Sequence, residues 1–324
     1  MMNSIRFRFM LAGILVAAYL PVFAGAATPE AGAKEVSQKE QTRTGPVVDL
    51  AYGAYQRREY KTAMKEAMDR LETDKRDTAA MTLLGELHAN GWGVLPDAKA
   101  AEEWYLAAAR LGDANAMTAL GLMNLSASRT DPAKLEQARL WFEKAAELLE
   151  PAASHQLALM LLATNDPVDD KRAVELLTVA ANAGVHDAQH DLGEAYLIGR
   201  GVKRNYGDAA KWFEKAAAFG NTASEIELGI LLYQGQGIKR DEERSARMFM
   251  RAAYKGNPVA QNRLARLYIV GRGVSKDLAE AAAWHQLASM RGLADPVLNS
   301  ELANLTKDEL ERADRLVRER ISVQ

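Results

Sequence analysis

An all-α solenoid of stacked helix–turn–helix units is the fold that the sequence predicts, and three observations predict it. Gly-x-Gly pairs fall at Gly91/Gly93, Gly199/Gly201, Gly235/Gly237 and Gly271/Gly273, spaced by three, one and one multiples of 36 residues. Trp104, Trp212 and Trp284, and Gly112, Gly184, Gly220, Gly256 and Gly292, keep the same beat. Within each period two short apolar stripes recur at helical spacing, and glycines separate them. Neither helix can bury its stripe alone, so successive units must stack.

The chain opens on Arg6 and Arg8, the apolar run FMLAGILVAAYL and the small residues Ala24-Gly25-Ala26. That order is the build of a secretory signal peptide over 1–26, cleaved after Ala26. An uncleaved anchor is the competing reading, because no charge lies between Arg8 and Glu30; Pro21 and the small residues at 24–27 favour cleavage. Residues 27–46, ATPEAGAKEVSQKEQTRTGP, hold almost no large apolar group and read as a disordered linker. Nothing further on is long and apolar enough to cross a bilayer, so no stable membrane insertion is expected after cleavage. Export to the periplasm or the medium is the expectation.

Residues 188–221 give the clearest unit, AQHDLGEAYLIGRGVKRNYGDAAKWFEKAAAFGN. Ala188, Leu192, Gly193 and Tyr196 share one face of a first helix, A, which Gly199 and Gly201 end. Asn205 is placed to cap a second helix, B, whose stripe is Ala209, Trp212, Phe213, Ala216 and Ala217. Gly220 closes it. The small Gly193 and Ala216 let A and B approach closely. The stretches around 116–150 and 153–185 keep the frame through Gly121, Trp141 and Gly184, but their corners read SASRTDPAK and TNDPVDDK and should be shaped differently. Trp104, Trp141, Trp212 and Trp284 are expected between the helices, in the core.

The L-G-x-x-Y, G-x-G-V and A-x-x-W-[FY]-x-x-A-A patterns of this unit resemble the Sel1-like repeat, a relative of the tetratricopeptide repeat. The resemblance covers six units over 79–295 and implies a right-handed α-solenoid. Ahead of it, AYGAYQRREYKTAMKEAM within 47–78 resembles a degenerate tetratricopeptide helix pair that would cap the array. Residues 296–324 should finish it: Thr306 and Glu309 form a capping box, Leu305 and Leu310 a hydrophobic staple, and a charged helix comes next with Leu310, Leu316, Val317 and Ile321 on one side.

Composition narrows the chemistry. With 41 basic and 43 acidic side chains, the net charge of −2 offers no global attraction to nucleic acid. There is no cysteine, so disulfides, thiolate metal sites and a cysteine nucleophile are excluded. A phosphate-cradling glycine loop comes after a strand and carries a third glycine in register; here a helix precedes each Gly-x-Gly, so the glycines read as helix-ending corners. No catalytic or metal signature is present, and neither a cofactor nor an enzymatic activity is expected. His186 and His190, four apart, could ligate a metal, but no third ligand is evident.

Two surfaces remain. Arg200, Lys203, Arg204, Lys239, Arg240, Arg272 and Lys276 occupy equivalent corners of three successive units, and stacking about 10 Å apart would align them as a basic edge. The tetratricopeptide resemblance implies that Thr82, Glu86, Thr118, His155, Asp187, His190, Glu194, Ile226, Ile230, Tyr233, Asn262 and Arg266 line the concave face, with Leu197 beside them. Polar residues next to exposed Ile226, Ile230 and Tyr233 suit a partner-binding groove. Family members commonly act as adaptors, and some exported ones resemble regulators of envelope sensors or parts of polysaccharide export machinery. The first reading is therefore a non-enzymatic scaffold for a protein partner. The alternatives are peptidoglycan or an anionic polysaccharide bound along the basic edge, and a weak hydrolase.

Overall fold

The computed structural model describes residues 49–322, which form sixteen α-helices and no strand. The expected leader at 1–26 and linker at 27–46 lie outside the described residues. First come α1 (Leu50–Gln56) and α2 (Tyr60–Thr73). Six A/B pairs succeed them: α3 (Thr78–Asn90) with α4 (Ala98–Arg110), α5 (Ala114–Ala127) with α6 (Ala133–Glu147), and α7 (Pro151–Thr164) with α8 (Pro167–Asn182). The remaining three are α9 (His186–Ile198) with α10 (Tyr206–Ala218), α11 (Thr222–Gln234) with α12 (Glu242–Tyr254), and α13 (Pro258–Val270) with α14 (Leu278–Met290). The chain ends on α15 (Pro296–Glu301) and α16 (Lys307–Ser322). Each A helix packs on its own B helix, and each B helix on the next A helix, so the units stack as an α-solenoid.

Asp and Asn start most of these helices. Asp113 accepts the Ala116 amide at 2.8 Å, and Asn205 accepts those of Gly207 and Asp208 at 3.0 and 3.3 Å; each such cap stabilises by about 1 kcal/mol. Helix α9 ends where Gly199 turns left-handed at φ 79°, and the Gly199 and Arg200 amides both donate to the Ala195 carbonyl. The second glycine has another task. A Cβ on Gly201 would lie 2.2 Å from the Asp170 carbonyl at the start of α8, and Gly237 and Gly273 meet the starts of α10 and α12 as closely. Each Gly-x-Gly corner thus rests backbone to backbone on the preceding B helix.

The second and third units solve the same corners differently. Asn165, at φ 57°, ends α7 in the left-handed conformation that glycine supplies elsewhere. B helices close on a left-handed glycine in five units, but in the second unit Leu149 takes that place at φ 59°. Its amide donates to Ala146 at 2.9 Å as that of Gly184 donates to Ala181 at 3.1 Å.

Inside each pair the contact is a glycine against a ring. A Cβ on Gly85, Gly121, Gly193 or Gly229 would fall 2.5–2.9 Å from Tyr105, Phe142, Phe213 or Phe249 respectively. Those four rings are buried, and burying each is worth roughly 1.5–3 kcal/mol. The expected core role of the tryptophans holds in full only for Trp284, and the other three pack against the core from its edge. Trp104, Trp141 and Trp212 precede the core ring by one residue and are only half-buried; Lys144 and Lys215 lie over Trp141 and Trp212 at 4.7 and 3.8 Å. Trp284 alone of the four is fully enclosed, with Tyr254 at its edge and Arg320 of α16 over its face.

The capping box before α16 forms: the Thr306 amide donates to Glu309 at 2.8 Å, and the Glu309 amide to Thr306 Oγ1 at 3.3 Å. The staple does not form as expected, since Leu310 is exposed, and α16 buries Ala313 and Val317 rather than Ile321. The strained position in the second unit generates a prediction. Leu149→Gly removes a left-handed cost of about 1 kcal/mol and should raise the urea-unfolding free energy by that amount. A fall in stability would show that the exposed Leu149 side chain makes a contact that outweighs the strain.

Candidate functional site

Side chains of successive A helices bond to one another across the unit boundaries. Glu86 of α3 accepts the Tyr55 hydroxyl of α1 at 2.5 Å. Thr118 donates to Glu150 at 2.9 Å, and Glu150 also caps α7. His155 of α7 donates its Nε2–H to Asp191 of α9 at 2.7 Å, and His190 Nδ1 lies 2.9 Å from Ser224 Oγ of α11. Asn221 donates to Asp187 at 3.3 Å. At the end of the row, Asn262 and Arg266 of α13 both donate to Asp295, at 2.7 and 2.5 Å.

The predicted groove residues therefore share one face, but many of them are fasteners. Thr118, His155 and Ile226 are buried, which corrects their expected exposure; Ile226 belongs to the core around Phe249. Thr82, Glu194, Ile230 and Tyr233 stay half-buried on the surface, and Leu197 packs against the core beside Phe213. Alternation along a helix assigns a face; it does not say which polar residue there will find a partner in the next unit.

The middle of this face is acidic. Burial raises the carboxyls of Glu194 and Glu227 above the usual range, and Glu194 adds to the rise at Glu227. His190, Asp191 and Glu194 bring one ligand atom each within 4.8 Å of one another, an arrangement that could hold a cation. Two of the three are already engaged, Asp191 by His155 and His190 by Ser224. His186 is not part of this group, because it stacks on Phe219 at 3.9 Å; the histidine pair considered from sequence does not converge. Ser224, His190 and Glu194 line up as hydroxyl, imidazole and carboxylate, with 3.7 Å between His190 and Glu194. Ser224 has no exposed surface, so no substrate bond can reach its oxygen and the contact is structural.

At the corners, charge is largely spent within the fold. Arg200 donates to Asp170 at 2.8 Å and to the Leu162 carbonyl at 2.5 Å, tying the fourth unit to the third. Arg240 pairs with Glu242, and Arg272 donates to the Tyr233 hydroxyl at 2.9 Å. Lys203, Arg204, Lys239 and Lys276 remain exposed. Asp241, Glu242 and Glu243 lie among these cations around the fifth and sixth corners, so the edge alternates in sign rather than forming a basic stripe.

Sequence reasoning missed Glu225. Its fully buried carboxylate is held by Arg251 and Lys255, each at 2.9 Å. A signal was present, since the places 36 residues before and after are Gln189 and Gln261. Their amides donate to the Ala181 and Ala253 carbonyls at 3.1 Å; in the fifth unit Arg251 takes over that bond, to Ala217 at 2.8 Å.

Asp295 was likewise unforeseen. The Asn262 amide, with Arg266 and the Leu298 backbone amide, pulls its carboxyl from 3.8 down to about 2. A lowered acid stabilises the folded state above its unfolded value and loses that contribution as pH falls through the folded one. Asp295→Asn keeps a capping side chain but has no charge to lose. Thermal melts should therefore drop less steeply between about pH 4 and pH 2 in the variant than in the parent. Parallel slopes would mean that the clamp carries no linkage.

Known proteins share this repeated geometry. The Sel1 repeat family model matches residues 78–113, 114–148, 151–185, 186–221, 222–257 and 258–293. DAP3-binding cell death enhancer 1 of Mus musculus is 40% identical over 85 residues, covering 24% of this chain and 17% of that protein. The Sel1-repeat-containing protein YjcO of Escherichia coli is 32% identical over 141 residues, covering 41% of this chain and 60% of that one. The chain thus spans less than two thirds of each of these relatives, 17% of the first and 60% of the second. A Sel1 repeat protein of Oxalobacter formigenes superposes with a TM-score of 0.61 at 29% identity, over 74% of this chain and 98% of that one. Six matched segments coincide with the six A/B pairs, and the chain belongs to the Sel1 repeat family.

Proposed function

We propose that this protein is an exported, non-enzymatic scaffold that recognises a protein partner on its A-helix face, in envelope signalling or polysaccharide-related assembly. The observation that carries the reading is the character of that face. Glu194, Glu227, Ile230, Tyr233 and Arg263 present mixed charge and apolar surface on helices that lateral hydrogen bonds hold in register. A surface fixed in this way loses little conformational entropy on binding. The glycan reading is not favoured, because the corner cations alternate with carboxylates and three of the seven are engaged within the fold.

Crosslinked pull-downs from envelope extract test the surface. Glu194→Lys with Glu227→Lys, two half-buried substitutions, should deplete the captured partner about tenfold, with far-UV circular dichroism showing that the helices persist. Lys203→Glu with Lys239→Glu should leave capture intact. Undiminished capture by the first pair would remove the A-helix face from recognition. Export has its own readout: intact mass of the protein from its native envelope should correspond to a chain beginning at Ala27, and a mass retaining residues 1–26 would overturn cleavage.

A further inference from the structure

Between α11 and α13, on the A-helix face of the last two units, lies a pocket of about 290 Å³. Its walls are Ile230, Tyr233, Gln234, Phe249, Leu267 and Val270. Phe249 and Leu267 are buried, whereas Val270 is 57% exposed at the mouth. Small-molecule sites start at about 300 Å³, so this space suits one large side chain.

The rim is cationic. Arg263 and Arg266 border the pocket directly, and Arg240 and Arg272 lie over the Tyr233 ring at 5.8 and 5.9 Å. Two of these charges are matched, Arg266 by Asp295 and Arg240 by Glu242. Arg272 spends its hydrogen bond on a neutral hydroxyl and feels Glu242 only at longer range, and Arg263 is exposed and makes no ion pair among the described residues. Glu227 is the carboxylate that acts on Arg263 from α11, and its own burial disfavours its charged form. A cavity with an aromatic and aliphatic floor, bordered by Arg263 and with Arg272 on its Tyr233 wall, is complementary to an apolar side chain flanked by carboxylates.

We propose that this pocket is the anchor site of the A-helix face, and that its occupant is a peptide segment of the partner carrying a phenylalanine- or leucine-sized side chain between acidic residues. The inference rests on the scaffold reading above and names the partner's chemistry at that surface. The anchor side chain fills the space over Phe249 and Leu267, excluding water. The flanking carboxylates meet Arg263 on one side and Arg272 on the other.

Fluorescence anisotropy with the full chain tests this. The probe is a fluorescein-labelled peptide holding one phenylalanine between pairs of aspartates in a glycine–serine frame. Saturable binding is expected below about 0.5 mM. Replacing the phenylalanine by alanine, or the aspartates by lysines, should weaken it at least about tenfold, as should Arg263→Glu or Val270→Glu in the protein. Both positions are exposed, and an unchanged melting temperature shows that the fold persists. Lys203→Glu, at a corner, should leave affinity unchanged. Equal binding of the lysine probe, indifference to both protein variants, or no saturation would overturn the proposal. The pull-down separates this failure from that of the scaffold: capture lost with Glu194→Lys and Glu227→Lys but kept with Arg263→Glu and Val270→Glu would sink the pocket alone.

Discussion

The contact on which the rest of the structure depends is a missing side chain facing an aromatic ring. Four A helices carry a glycine in mid-helix, which costs roughly 1 kcal/mol against alanine, and each lies where a Cβ would strike Tyr105, Phe142, Phe213 or Phe249. The ring seated there offsets that cost by burial. Where the third and sixth units have Ala158 and Ala265 instead, the ring position holds Leu177 and His285. Void and filling vary together. His285, the polar exception, lies 2.6 Å from Asn299 and so fastens the last unit to α15.

That close approach within a unit leaves the joints between units to other groups. On one side, Gly201, Gly237 and Gly273 let each corner rest on the backbone of the preceding B helix. On the other, His155 with Asp191 and His190 with Ser224 bridge neighbouring A helices, and Asn262 with Asp295 ties α13 to the start of α15. Repeat arrays hold together by nearest-neighbour interfaces of this kind. The functional consequence is a row of helices whose surface is set before any partner arrives. Arg200 shows how the array braces an irregular corner: where the third unit has Asn165 in place of glycine and its amide reaches the Leu162 carbonyl at only 3.4 Å, a guanidinium from the fourth also bonds that carbonyl and Asp170.

The period made the fold legible, because a residue every 36 positions reports a geometric need that recurs with each unit. Asn205 as a cap, Gly199 as a stop and Gly193 as a close approach all came from local rules. Legibility stopped where an outcome depended on the neighbouring unit. Arg200 and Lys203 look alike in sequence, yet the third unit presents Asp170 to one, and the other stays exposed. His155 and Thr118 read as groove residues on periodicity, and partners more than thirty residues away bury them. The tryptophans misled for a simpler reason: adjacent aromatic positions on a B helix differ by about 100° in direction, and only the second points at the glycine.

Recognition on the bonded A-helix row rather than along the corners is the central claim, and site-specific photocrosslinking in living cells tests it most directly. A photoreactive residue placed at Glu194 or Arg263 should yield a discrete, partner-sized adduct, while placement at Lys203 or Lys239 should yield none. Adducts from the corner positions with none from the A-helix face would contradict it.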